Sequence, residues 1–335
     1  MFVPVVDKNR NPLMPTTPAR ARKWVKSGKA TPFFRNGVFC VRLNGDPSRT
    51  QTQDIAVGID PGSKKEGFTV KSEKSTYLNV QTDAHNKVSQ KVDTRRQLRR
   101  SRRSRKCPNR KHRTNRMANK QRIPAGTRTR WDWKLRILNY LSTMFPITHV
   151  CVEDIKTQTR QGARRWNESF SPLEVGKQWF YDEIQKRWIL FTLKGFETKA
   201  IRDSLGLKKS GNKMSSDFNA HCVDSWCLAY HVIGSNTDQV DNTCVFRVSP
   251  IPIARRQLHR QNPQQGGRRP RYGGTMCNGI AKNTLVKHVT HGLTRVSGYM
   301  EKKGYSLYAL EGKRLTQSAK RESFKVLTRL NFNYI

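Results

Sequence analysis

The chain of 335 residues carries 65 Lys and Arg against 24 Asp and Glu, a formal net charge of +41, and its hydrophobic fraction is 35%. A compact chain with so much uncompensated charge repels itself, so its counterpart is a dense polyanion, nucleic acid above all, and an ordinary metabolic enzyme does not fit. The length allows two or three domains at roughly 150 residues each, expected as small lobes around charged surfaces.

Residues 1–50 form a small basic module: VPVVD, a turn-like run NRNPLMPTTP, then a short amphipathic segment. Thr17 can cap, Pro18 suits a first helical turn and Gly28 a stop, which predicts a helix over 18–27 bearing Arg20, Arg22, Lys23 and Lys26. FFRNGVFCVRL then reads as a hairpin around Asn36 and Gly37.

From Asp54 the pattern becomes DIAVGIDPGS, a strand with Ile55, Val57 and Ile59 alternating, which ends at Asp60 before a Pro-Gly turn. A carboxylate at the end of a buried strand is costly and calls for a cation or a hydrogen-bond network, although a plain turn-forming role is the blander reading. Strand-like pieces follow at 67–71 and 76–80. Between Arg95 and Arg130 stand sixteen Lys or Arg and no acid. TRRQLRRSRRSRK has good helix formers and no Gly or Pro, so it is expected as one helix with arginines on nearly every face, enclosed by phosphates.

Residues 131–144 repeat apolar side chains at helical spacing, and ITHVCVEDI at 147–155 is a strand that brings a second acid, Glu153. An apolar helix is expected around 179–193. FNAHCVDSWCLAYHVIG reads as a helix begun by Ser216 or Asp217 and stopped by Gly234, with His221 and Asp224 on one face. A histidine there is as well explained by core packing as by chemistry. From Asn242 to Met300 ten Lys or Arg occur and no acid, and ARRQLHRQNPQQGGRRPRYGGT has the composition of loops that approach phosphates and base edges.

The seven cysteines, Cys40, Cys107, Cys151, Cys222, Cys227, Cys244 and Cys277, include no CxxC pair, so free thiols in a reducing compartment are expected. No run approaches the ~20 apolar residues that span a bilayer, and the first seven residues are too short and proline-broken for a signal peptide. The expected location is cytoplasmic.

Three carboxylates from separated elements, Asp60, Glu153 and Asp224, with His221 beside them, are what two divalent cations need to flank a scissile phosphate. Hard oxygen ligands favour Mg²⁺, with Mn²⁺ as a substitute.

This order of motifs resembles a split RuvC nuclease domain, with VGIDPGS, VCVEDI and HCVDSW as its three signatures and the arginine-rich run as a bridge helix after the first. NPLMPTTPARA is similar to the proline-leucine-methionine-proline module of the IscB and IsrB proteins, transposon-encoded relatives of the CRISPR type II effectors, and RRQLHR with GGRRPRYGG resembles the same group. IscB proteins insert an HNH nuclease between the second and third signatures, which needs a histidine general base. No histidine occurs here between Val150 and Ala220, so the resemblance is to the HNH-less IsrB group.

The resemblance implies an α/β, RNase H-like (RuvC) fold split in sequence: module 1–50, RuvC parts at 51–84, 126–157 and within 158–240, an arginine-rich helix and linker at 85–125, and a basic C-terminal domain at 241–335. It implies an RNA-guided nickase, with Asp60, Glu153 and Asp224 holding metal and His221 handling water or transition-state charge. A large structured guide RNA would pair with one DNA strand, one protein chain per RNA, in a prokaryotic cytoplasm. Arg95, Arg96, Arg99, Arg100, Arg102, Arg103 and Arg105, with the N-terminal module, would grip RNA or heteroduplex. Arg255, Arg256, Gln257, Gln264, Arg268, Arg269 and Arg271 would lie at a short duplex motif beside the target. The rival readings are a guide-independent nuclease of the Holliday-junction type and a non-catalytic binder of transposon RNA.

Overall fold

The computed structural model describes residues 2–35, 37–48, 50–85, 88–106, 123–155, 172–236, 238–250 and 276–328. The chain divides into two compact units, Met1–Val248 and Ser249–Ile335.

The first unit opens with a four-stranded sheet, β1 (Val3–Val6), β2 (Pro12–Thr16), β3 (Ala30–Arg35) and β4 (Val38–Leu43), in the order β2-β1-β4-β3. Asp7 closes the first turn by accepting from the Asn11 backbone N–H at 2.7 Å and its side-chain amide at 2.8 Å. The turn is therefore shorter than expected, and the Pro-Leu-Met-Pro run is strand β2, paired with β1. Helix α1 (Pro18–Lys26) starts where the Thr17 hydroxyl accepts from the Arg20 N–H, with Pro18 in its first turn. Its Ala21, Trp24 and Val25 cover Val3, Val5, Ala30 and Val41 of the sheet.

The central sheet has six strands: β5 (Ala56–Asp60), β6 (Lys65–Lys71), β7 (Thr76–Asp83), β8 (His149–Asp154), β9 (Ile189–Lys194) and β10 (Val245–Val248), in the order β10-β7-β6-β5-β8-β9. β5, β6 and β7 form an antiparallel meander, whereas β8 runs parallel to β5 and β9 parallel to β8. Parallel neighbours need long crossovers. The first is α2 (Val88–Lys106) with α3 (Ala125–Ser142), and the second is α4 (Pro172–Gln185). Three antiparallel strands followed by two parallel ones on the far side of the first constitute the RNase H-like fold. β10 extends it as a sixth strand parallel to β7, so residues up to 248 belong with this unit, beyond the boundary expected near 240.

The apolar helix expected at 179–193 ends at Gln185, and its second half is strand β9. ILFTL is rich in β-branched and aromatic residues, and pairing with β8 decides the conformation that a short apolar run leaves ambiguous.

Helices α5 (Gly195–Ser204) and α6 (Phe218–Ile233) follow β9. α6 lies so close on β5 and β6 that a Cβ at Gly58 would stand 1.8 Å from the Ser225 carbonyl oxygen, and one at Gly67 2.1 Å from that of His221. Thr69 and Ser225 join β6 to α6 through hydroxyls 2.8 Å apart. α3 buries Trp131, Trp133, Ile137, Leu138 and Leu141.

The second unit holds a β11 (Met276–Cys277) and β12 (Ile280–Ala281) ribbon and a five-stranded antiparallel sheet. Its strands are β13 (Leu285–His288), β14 (Gly292–Met300), β15 (Gly304–Tyr308), β16 (Arg314–Ala319) and β17 (Phe324–Thr328), ordered β16-β15-β14-β13-β17 around Val286, Val296, Tyr305, Leu307 and Phe324. Among the described residues no helix is long and apolar enough to cross a membrane, and Cys40, Cys151, Cys222, Cys227, Cys244 and Cys277 are free thiols.

Candidate active site

Register fixes the side from which the acids project. Gly58 faces α6, and alternation along β5 puts Asp60 on the same side. Gly58 pairs with Cys151 of β8, so Glu153, two residues on, shares that face. Asp224 comes from the helix packed there. Asp60, Glu153 and Asp224 therefore meet at the C-terminal ends of β5 and β8 under α6, as the sequence motifs require, and His221 lies one turn before Asp224.

The four groups stand in different environments. Asp60 is 7% exposed and Asp224 3%. Burial raises the Asp60 carboxyl above its ordinary range, and a hydrogen bond with Glu153 and the Lys209 charge oppose that rise. Burial, then repulsion by Asp60, pushes Glu153 up to about 8. The Asp60 carboxylate thus opposes ionisation of Glu153 beside it. The His221 Nε2 lies 3.0 Å from the Lys213 carbonyl oxygen, which can only accept, so Nε2 carries the hydrogen.

Two cations absent from the sequence reading enter the site. Lys209, in the loop between α5 and α6, hydrogen-bonds Asp224 Oδ2 and lies 3.8 Å from Asp60 Oδ2. Arg202 of α5 donates to Asp224 Oδ1 at 2.6 Å. A third basic residue acts from behind the sheet. Glu66 precedes Gly67 on β6 and so points to the opposite face, where Lys134 of α3 bonds it at 2.6 Å, both side chains being almost fully buried. Burial raises the Glu66 carboxyl, Lys134 opposes this, and Asp60 adds to it. No local motif marks these residues, because each reaches the site only through packing. Asp154, next to Glu153, turns aside to Lys177 at 2.6 Å and to the Tyr181 hydroxyl at 3.3 Å. At the start of α5, a Cβ on Gly195 would stand 2.9 Å from Glu153 Oε1, so the backbone itself walls the acid on that side.

Among the described residues no cluster of three or more His, Cys, Asp or Glu is arranged to hold a metal ion as placed, since Asp224 is engaged by Arg202 and Lys209 and Asp60 by Glu153. The donor set nonetheless fits a hard divalent cation. Its oxygens are carboxylates, and buried Asp60 stands beside half-buried Glu153 at a cost that a proton or a cation relieves.

The basic residues expected to bind nucleic acid are placed only in part. Arg20, Arg22, Lys23 and Lys26 are exposed on α1, and Arg95, Arg96, Arg99 and Arg100 on α2. α2 is not polar all round, for Val88, Val92 and Leu98 are half-buried. Arg102, Arg103 and Arg105 fall on its backbone, with side chains outside the described set. Arg255, Arg256, Gln257, Gln264, Arg268, Arg269 and Arg271 lie outside the described residues.

Strand order and the convergence of acids define a RuvC-type, RNase H-like domain. A family model described as RRXRR protein matches residues 3–168, and Arg99 to Arg103 of α2 spell that pattern, with Ser101 at the centre. No curated protein matches. Among solved structures, the chain is similar to T. thermophilus RuvC in complex with Holliday junction substrate, at 15% identity over 54% of this chain and 97% of that one, TM-score 0.27. It is similar to the yeast mitochondrial Holliday junction resolvase Ydc2, at 14% identity over 54% and 78%, TM-score 0.26. A further Thermus thermophilus RuvC structure gives 15% identity over 54% and 96%, TM-score 0.24.

Proposed function

We propose that the chain is a metal-dependent nuclease that, directed by a guide RNA, opens a DNA duplex and cuts the strand not paired to the guide. The observation that carries the nuclease reading is the meeting of Asp60, Glu153 and Asp224 on one face, in a chain with a net charge of +41. A protein that only bound nucleic acid would gain nothing from acids that repel phosphate. The guide RNA reading draws on the resemblance to the IsrB group and on the exposed arginines of α2, which lie between the first and second acidic strands.

Mg²⁺ ions, when bound, supply the Lewis acidity that activates water and stabilises the leaving oxygen. Asp60, Glu153 and Asp224 would hold them. His221, its ring fixed at Nε2 by the Lys213 carbonyl, leaves Nδ1 to accept a proton. Lys209 and Arg202 offset the repulsion that the carboxylates exert on an incoming phosphate.

The test is plasmid cleavage by the purified chain with Mg²⁺ and the structured RNA encoded beside its gene. Nicked circles, abolished by Asp60→Ala, are expected. Clean linear product would overturn the single-strand reading, and full activity of Asp60→Ala would overturn the site. Cleavage of a four-way DNA junction by RNA-free protein would transfer the assignment to a guide-independent resolvase.

A further inference from the structure

The N-terminal sheet presents an aromatic pair that its fold does not use. Phe34 on β3 and Phe39 on β4 are cross-strand partners with ring centroids 5.4 Å apart in an edge-on arrangement, and Phe34 is 72% exposed. They share a face with the pairs Pro32 and Val41, and Ala30 and Leu43, because alternate cross-strand pairs project to the same side. That is the face covered by α1, whose Ala21, Trp24 and Val25 pack on Ala30, Val41 and Leu43. Along that face of β3 Ala30 is buried, whereas Pro32 and Phe34 are exposed, so the strand outruns its cover.

The opposite face of the same hairpin is anchored. The Arg35 guanidinium donates to the Thr143 carbonyl at 2.8 Å, and the Tyr140 hydroxyl donates to the Arg35 carbonyl at 2.8 Å. Cys40 is fully buried. The two phenylalanines are thus held outward by a fixed hairpin. Beside them α1 exposes Arg20, Arg22, Lys23 and Lys26, with no acid anywhere in the helix.

We infer that Phe34 and Phe39 form a stacking platform for unpaired RNA bases, with the α1 cations holding the adjoining phosphates. Bare rings accept any base, and a cationic rim selects a polyanion over an apolar protein partner. The inference rests on the RNA-binding part of the proposed function and specifies what the N-terminal module recognises, which is single-stranded nucleotides next to a helix.

Fluorescence anisotropy with the full chain tests it, using a blunt RNA duplex and the same duplex with a short adenosine overhang. The unaltered chain should prefer the overhang by about fivefold or more. Phe34→Leu/Phe39→Leu, which keeps apolar bulk without a ring, should abolish that preference and leave blunt-duplex affinity unchanged. Arg20→Glu/Lys23→Glu should weaken binding to both RNAs. An overhang preference retained by the double leucine variant overturns the platform while leaving phosphate binding intact. Equal loss on both RNAs in that variant overturns it too. Failure of the unaltered chain to bind either RNA overturns the wider RNA reading. A dimer in mass photometry that dissociates in the leucine variant assigns the pair to self-association and overturns the platform.

Discussion

Asp224 is held between two cations, Arg202 at one oxygen and Lys209 at the other, and Lys209 also faces Asp60. An ammonium group thus occupies the ground between acids that a divalent ion would enter, and the ion has to displace it. Lys209→Gln is expected to tighten Mn²⁺ binding, followed by electron paramagnetic resonance, by about an order of magnitude, the scale set by removing a like charge ~4 Å away in a partly solvated site. The same variant should melt at a lower temperature in EDTA, because two buried acids lose a counter-charge. Unchanged Mn²⁺ affinity would remove Lys209 from that role. The raised Glu153 carboxyl has its own signature. Glu153 titrates at about 8 in the folded chain against an ordinary 4.5, so between those values the folded state keeps a proton that the unfolded chain has lost. Metal-free stability should therefore fall as pH rises from about 4.5 to about 8 and level off above, and Glu153→Gln should flatten that slope in urea titrations. Asp60, Glu153, His221 and Asp224 were legible in the sequence because each sits in a short pattern of strand or helix. Arg202, Lys209 and Glu66 were not, because nothing local distinguishes them from other charged residues in so basic a chain.

At the scale of elements, the site depends on how near α6 comes to the sheet. Gly58 and Gly67 admit the helix backbone directly, and no side chain could yield, since the atoms a Cβ would meet are the carbonyl oxygens of Ser225 and His221. Gly67→Ala should push α6 outward, destabilise the chain by about 1–3 kcal/mol in thermal unfolding and reduce cleavage more than the stability loss explains, as His221 and Asp224 move from Asp60. A fully stable, active Gly67→Ala chain would contradict this packing. The strands carrying Asp60 and Glu153 and helix α6 could be anticipated from alternation and capping. β9 could not, because ILFTL fits helix and strand equally until β8 offers a pairing edge. β2 was hidden by its two prolines, which read as turn residues, yet they stand on an edge strand where a missing N–H is tolerated.

Among the described residues, Arg95, Arg96, Arg99 and Arg100 of α2 are exposed, whereas Asp60 and Asp224 are buried. RNA affinity should fall linearly with the logarithm of salt concentration, and Arg99→Glu/Arg100→Glu should lower both the affinity and the slope, by about 0.7–0.9 for each phosphate no longer neutralised. An unchanged slope would remove α2 from the interface. The order of the chain adds a consequence for synthesis. Thr69 and Ser225, which fasten α6 to the sheet, are 156 residues apart, so bringing them together requires almost all of the first unit to have left the ribosome. Until then, the growing chain holds Asp60 and later Glu153 on an open glycine-lined face, with no third acid to complete the set. On the proposed function, the site stays incomplete through most of translation and is finished only after the arginines of α2 have emerged.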